Sequence, residues 1–189
     1  MGRYDSISDD ALIEAIQQGD EDAAACLYHR HIDRVHRICY RIVLDSAQVP
    51  DCVQEVWMKV FRSLGWFRRE RSFASWLNSI TANMAIDYYR KHKRHGNRVD
   101  IDESQMELSA TDEQGEGCRL DGEVVLRRIH DALEEISVNQ RTAFILRYFE
   151  DMPISEIART LRCNEGTVRT HIHRSLVALR ARLAETLKQ

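Results

Sequence analysis

Apolar residues recur at three- and four-residue steps along most of this chain, the spacing of helices that each bury one face. Leu12, Ile13 and Ile16 mark a first short helix, with Ser8 placed to cap it and Gly19 to close it. From Asp20 a longer helix runs through Ala24, Leu27, His31, Val35, Ile38 and Ile42. Pro50 and Asp51 open a third, whose stripe is Val53, Val56, Trp57, Val60, Phe61 and Leu64. After a connector from Gly65 to Arg71, a fourth spans about Ser72 to His92, with Trp76, Leu77, Ile80 and Ile86 as its apolar contacts. Connections this short favour a compact bundle. The periodicity vanishes between His95 and Gly122. It returns in Val125, Ile129, Leu133 and Ile136, and again in Ala143, Ile145, Leu146 and Phe149. The pattern predicts an all-α chain: two small helical domains, residues 1–95 and 123–189, joined by a flexible acidic linker over 96–122.

The segment from Pro153 to Leu179 reads as two helices and a short turn. Ile154, Ile157, Ala158 and Leu161 fall on one face of the first; Val168, Ile172, Leu176 and Leu179 do so on the second. Pro153 suits a first turn, where its missing N–H is not needed. Asn164 can cap the second helix and Glu165 suits its positive end. Thr167, Arg169, Thr170, His171, His173 and Arg174 lie off the apolar stripe. A helix anchored by one face and polar on the other can lie in a DNA major groove, although a surface helix of any bundle also has a polar face.

Charge sharpens this picture. The 189 residues carry a formal net charge of -3, which does not suggest a nucleic-acid binder. The average hides a segregation. Arg90, Lys91, Lys93, Arg94 and Arg98 cluster without an acid, whereas Asp100 to Glu123 holds nine acids against Arg119 alone. A footprint for DNA phosphates is local, so it need not show in the total. The five cysteines are odd in number and scattered, with no CxxC pair and no zinc-finger spacing. They read as reduced thiols filling core, and neither metal nor cofactor is expected. No apolar run nears the roughly 18 residues a membrane span needs, and the N-terminus is acidic where a secretion signal would be basic. The chain reads as cytoplasmic. It carries no glycine-rich phosphate loop, HExxH or nucleophile motif, so an enzyme is not expected.

Four signatures in order resemble a bacterial RNA polymerase sigma factor of the extracytoplasmic-function group. They are DCVQEVWMKVFRSL (Asp51 to Leu64), SFASWLNSITANMAIDYYRK (Ser72 to Lys91), QRTAFILRYFEDMPISEIA (Gln140 to Ala158) and GTVRTHIHRSLVALRARL (Gly166 to Leu183). Only the linker falls outside the resemblance. It implies a transcription initiation factor without catalytic chemistry, whose partners are core RNA polymerase, promoter DNA as duplex and melted strand, and an anti-sigma factor, membrane-tethered or soluble. The first domain is then the family's region 2 and the last its region 4.

The resemblance also implies roles for residues. Asp51, Gln54, Glu55 and Met58 form the polymerase-binding patch. Asn83 holds a flipped base of the downstream element, since an amide both donates and accepts. Phe67, in the connector rather than on a stripe, is expected to be exposed and to stack on single-stranded DNA. Arg90, Lys91, Lys93 and Arg94 neutralise phosphates. In the last helix Thr167 meets backbone phosphate, Arg169 and Arg174 contact phosphate or guanine, and Thr170, His171 and His173 read sequence. The chain departs from the common pattern at His171, where Arg is frequent, at His173, at Arg162 in the turn, where Gly is usual, and at Ser137. The alternative reading is a helix-turn-helix activator or repressor that works without polymerase. It calls for a dimerisation surface, and no heptad run supplies one.

Overall fold

The computed structural model describes residues 4, 7–68, 71–93 and 132–186. The expected linker, Arg94, Cys118, Val125 and Ile129 lie outside the described residues. The chain divides into two compact units, Met1–Tyr89 and Arg90–Gln189. Among the described residues every regular element is helical.

In the first unit, α1 (Asp9–Gln17) is capped by Ser8, whose side chain accepts from the Ala11 N–H. Gly19, at φ +91°, turns the chain after it, a conformation that suits a residue without Cβ. Asp20 then caps α2 (Glu21–Val43) by accepting from the Ala23 N–H. Leu27, His31, Val35, Ile38 and Ile42 are buried along one side of α2, as their spacing predicts. The next helix, α3 (Val49–Ser63), begins with Pro50 in its first turn and buries Cys52, Val53, Val56, Trp57 and Val60. A single 3-10 turn, Leu64–Trp66, leads toward α4 (Phe73–Lys93).

α1 packs on α2, and α2 on α3. Polar contacts reinforce the first seam. His31 Nε2 lies 2.9 Å from the Asp9 carboxylate, which also accepts from Arg30 at 2.7 Å. The hydrogen bond from His31, and then Arg30, hold the Asp9 carboxyl below its ordinary value against the opposing effect of burial. Cys39 and Cys52 bring their sulfurs within 3.6 Å in the core. The hydrogen bond with Cys52, and then burial, push the Cys39 thiol up, keeping it protonated.

α4 differs from its expectation. Trp76 and Ile80 are only half-buried, and the inner face is Phe73, Leu77, Thr81, Ala85 and Tyr88. The Thr81 hydroxyl satisfies itself by donating to the Leu77 carbonyl at 2.8 Å. Thr81 and Ala85 are small, so an apolarity count passes over them although they permit close approach.

In the second unit, α5 (Val138–Tyr148) starts at a reciprocal cap. The Ser137 hydroxyl accepts from the Gln140 N–H, and the Gln140 side chain accepts from the Ser137 N–H. Ser137, a departure from the common family pattern, is therefore a helix cap here. Two further helices, α6 (Ile154–Leu161) and α7 (Glu165–Thr186), pack on α5 and on each other. Buried Ser175 ties α7 to α5 by donating to the Gln140 carbonyl at 2.9 Å. Pro153 is the residue just before α6 rather than inside its first turn.

Candidate functional site

The outward side of α3 is built by its inward side. Cys52, Val56 and Val60 face the core, which leaves Asp51, Gln54 and Met58 exposed and Glu55 half-buried on the opposite side. Steps of three and four place these residues on one strip of surface. Phe61 belongs to that strip as well. Expected on the apolar stripe of α3, it is 38 % exposed, close to Met58 at 47 %, because it lies three residues after Met58 and just beyond the inward edge marked by Val60. Tyr88 of α4 stands close by. Burial, with the negative charge of Asp51 next in importance, pushes its phenol up, so it stays neutral beneath the acidic strip.

The connector corrects a second expectation. Phe67 is buried, with its ring 5.1 Å from Trp76 and 5.8 Å from Phe73. As placed, it has no face to offer a base, because it anchors the connector to α4. Trp66, one residue earlier, is 85 % exposed. Adjacent side chains of a tight turn point in different directions, so a single position exchanges anchor and exposed ring.

Asn83 is half-buried and makes no side-chain hydrogen bond among the described residues. Its donor and acceptor are both uncommitted. It shares a face of α4 with Trp76 and Ile80, two turns and one turn before it respectively. Beyond it the last turn of α4 carries Arg90, Lys91, His92 and Lys93, cations that also suit the negative end of a helix. Arg90 and Lys91 are exposed, and Lys93 is half-buried.

In the second unit the turn between α6 and α7 is set by two residues. Arg162 adopts φ +54°, a left-handed conformation with some strain for a side chain other than glycine. It closes α6, with its N–H reaching the Ala158 carbonyl. Asn164 then caps α7, accepting from the Thr167 N–H at 2.7 Å and the Thr167 hydroxyl at 3.0 Å. Gly166 leaves room for that cap, since a Cβ there would stand 3.2 Å from Asn164 Oδ1.

The outer stripe of α7 is Arg169 and His173, both exposed, with Val177 continuing it. Arg169 holds the Glu165 carboxylate at 3.0 Å, an exposed pair of little net value that an incoming phosphate or base can replace. Thr167, Thr170 and Arg174 flank the stripe, half-buried. The Thr170 hydroxyl donates to the Gly166 carbonyl. His171 is not on the outer stripe. It is half-buried with Nδ1 closed off from solvent, because it falls three residues after buried Val168 and four before buried Ser175. Among the described residues no group of His, Cys, Asp and Glu could hold a metal ion, and no helix is long and apolar enough to cross a membrane.

Two family models match this arrangement: sigma-70 region 2 over residues 27–95 and sigma-70 region 4 over residues 126–179. The ECF RNA polymerase sigma-E factor of Haemophilus influenzae is 32 % identical, with 90 % of this chain and 93 % of that protein aligned. The chain belongs to the ECF RNA polymerase sigma factors. The RNA polymerase sigma-H factor of Pseudomonas aeruginosa is 28 % identical over 96 % of each chain. The fold agrees with that of the sigma factor RpoE of Bartonella quintana, solved with the anti-sigma factor NepR. The TM-score is 0.63 at 23 % identity, covering 83 % of this chain and 94 % of that one. As an ECF sigma factor the chain is a transcription initiation factor and not an enzyme. It serves RNA polymerase at promoters. The sequence signals that Trp66 is exposed and His171 half-buried were absent, since both depend on neighbours brought in by folding.

Proposed function

We propose that three outward helix surfaces divide the work of promoter selection. The strip Asp51, Gln54, Glu55, Met58 on α3 binds core polymerase. Asn83 and the basic end of α4 take the opened downstream element, with Arg90, Lys91 and Lys93 at phosphates. Arg94, outside the described residues, extends that basic run in the sequence. The outer stripe of α7 reads the upstream element as duplex, led by Arg169 and His173. Thr167 lies at the helix N-terminus where phosphate binds well, and Thr170, Arg174 and His171 sit at the flanks. The boundaries 1–95, 96–122 and 123–189 separate these tasks.

The observation that carries the reading is the pair Met58 and Phe61, apolar side chains left in solvent among polar ones on a helix whose other side is fully packed. A strip of that composition is suited to a protein partner with an apolar centre and a polar rim. An anti-sigma protein, soluble or membrane-tethered, would restrain the chain by covering the same faces, as a partner of the kind named for the Bartonella quintana protein. The working location is the cytoplasm.

Run-off transcription with purified core polymerase tests the assignment. Promoter-specific RNA is expected only when the chain is added, and Met58→Asp should abolish it together with core binding. Strong duplex binding by the chain alone, with no transcript, would favour the polymerase-independent activator or repressor.

A further inference from the structure

We propose that His173 is a proton-dependent contact of the reading helix, so that α7 holds its duplex more tightly as pH falls. The inference rests on the reading of α7 given above and adds its regulation by protons. A histidine on a helix surface is ordinary in itself. What distinguishes His173 is its position, together with ring nitrogens that the fold leaves uncommitted.

Position follows from the buried side of α7, formed by Val168, Ile172, Ser175 and Leu179. At about 100° per residue, His173 lies roughly 130° round the helix from their centre. It is exposed, one turn after exposed Arg169. Among the described residues it makes no hydrogen bond or ion pair, so both ring nitrogens are open to a ligand. His171 contrasts with it, half-buried and with Nδ1 closed off from solvent.

The surrounding charge decides what His173 can bind. On its own helix Arg169 precedes it by four residues, Arg174 follows directly, and exposed Arg180 stands seven further on. Glu165 lies eight residues back and is held by Arg169 at 3.0 Å. α5 and α6 pack against the buried side of α7 and bring Arg141 and Arg147, and Glu156 and Arg159. No carboxylate among these groups is bonded to His173, and the exposed stripe is positive. A DNA acceptor laid along it, a phosphate oxygen or the O6/N7 edge of a guanine, completes the site, because a protonated imidazole donates from either nitrogen. Imidazole changes charge between about pH 5 and 8. DNA favours the charged form, since each phosphate neutralised releases condensed counterions. Binding of duplex therefore takes up a proton, and by linkage protons tighten binding.

The test uses holoenzyme assembled from core polymerase and the full chain. Its affinity is measured from pH 8 to pH 6, at several salt concentrations, for a promoter with its upstream element intact and for one with that element scrambled. The intact promoter should gain about 5- to 10-fold over the scrambled one across this range, the gain of one neutralised phosphate at moderate salt. The slope of log affinity against log salt should steepen by about 0.9 over the same range. His173→Gln should abolish both changes, and His173→Arg should bind tightly at both ends of the range. A gain uniform over substituted upstream elements places the proton at a phosphate; one confined to a single base pair places it at a guanine. A pH response undiminished in His173→Gln would overturn the inference, as would a native response that is flat. Arg169→Ala separates it from the reading beneath it. If Arg169→Ala weakens upstream binding while the native chain shows no pH response, the proton contact alone fails. If neither Arg169→Ala nor His173→Gln alters upstream binding at any pH, the assignment of α7 fails with it.

Discussion

The outward strip of α3 and the outward stripe of α7 are both polar faces on amphipathic helices, yet they are composed differently. The first sets Met58 and Phe61 among Asp51 and Gln54, and beside it the connector exposes Trp66. The second is led by Arg169 and His173, exposes the aliphatic Val177, and starts from a cap and turn geometry that fixes its direction. Apolar surface held out in solvent fits partners that bring apolar surface of their own, such as a protein groove or an unstacked base. A charged, hydrogen-bonding stripe on a directed helix fits a duplex, whose groove edges and phosphates are polar. On the proposed reading the first unit meets polymerase and melted DNA and the second intact DNA. Which side chains their cores leave outside supports that division.

The comparison can be broken by disabling one unit at a time. The largest effect is expected from Leu77→Ala, which removes a fully buried side chain of α4. It should cost the first unit about 2–5 kcal/mol, seen as an earlier denaturant midpoint, and leave binding of duplex upstream DNA intact. Loss of duplex binding in this variant would show that the second unit depends on the first.

A crossed pair comes next. Asn83→Ala should reduce open-complex formation by about 1–3 kcal/mol without equal loss of core binding. Arg169→Ala should weaken upstream recognition by about 1–3 kcal/mol if it grips a guanine. Permanganate footprinting reads the first and gel shift on substituted promoters the second. A uniform loss over all sequences for Arg169→Ala would mark a phosphate contact instead.

Smaller still is Asn164→Ala. It removes the cap of α7 and should cost the second unit about 1 kcal/mol, measured by urea unfolding. Upstream DNA binding should fall in step, because the cap fixes where the reading helix begins.

The smallest effect concerns pH and only the first unit. The pKa of Asp9 lies below its ordinary 3.8 in the folded chain. Its contribution to stability is therefore present above that value and is lost as pH falls through the folded pKa. Asp9→Asn should be less stable than native near neutrality, and the difference should close below about pH 4. A gap that persists undiminished in acid would show that packing, and not charge, joins α1 to α2 at this point.

Much of this was legible in one dimension. Ser8 and Asn164 were readable as caps because a helix start needs an oxygen acceptor within three residues, an entirely local demand. Apart from Phe61, the buried stripes of α2 and α3 followed from spacing, and so did the exposure of Asp51, Gln54 and Met58, since opposite faces of one helix are fixed by its period. The helix-turn-helix was local as well.

Folding decided what spacing cannot. Phe67 and Trp66 are neighbouring aromatics in a connector, and only the approach of Phe73 and Trp76 determined which is anchor and which is open. His171 had the composition of a reading residue, but burial of Val168 and Ser175 against the rest of their unit drew it off the outer stripe. The inner face of α4 rests on Ala85 and Thr81, whose value lies in how closely they let neighbours approach. Helical period and capping are properties of consecutive residues, so the sequence alone determines them. Burial is a property of whatever arrives from elsewhere in the chain, and tertiary structure alone assigns it.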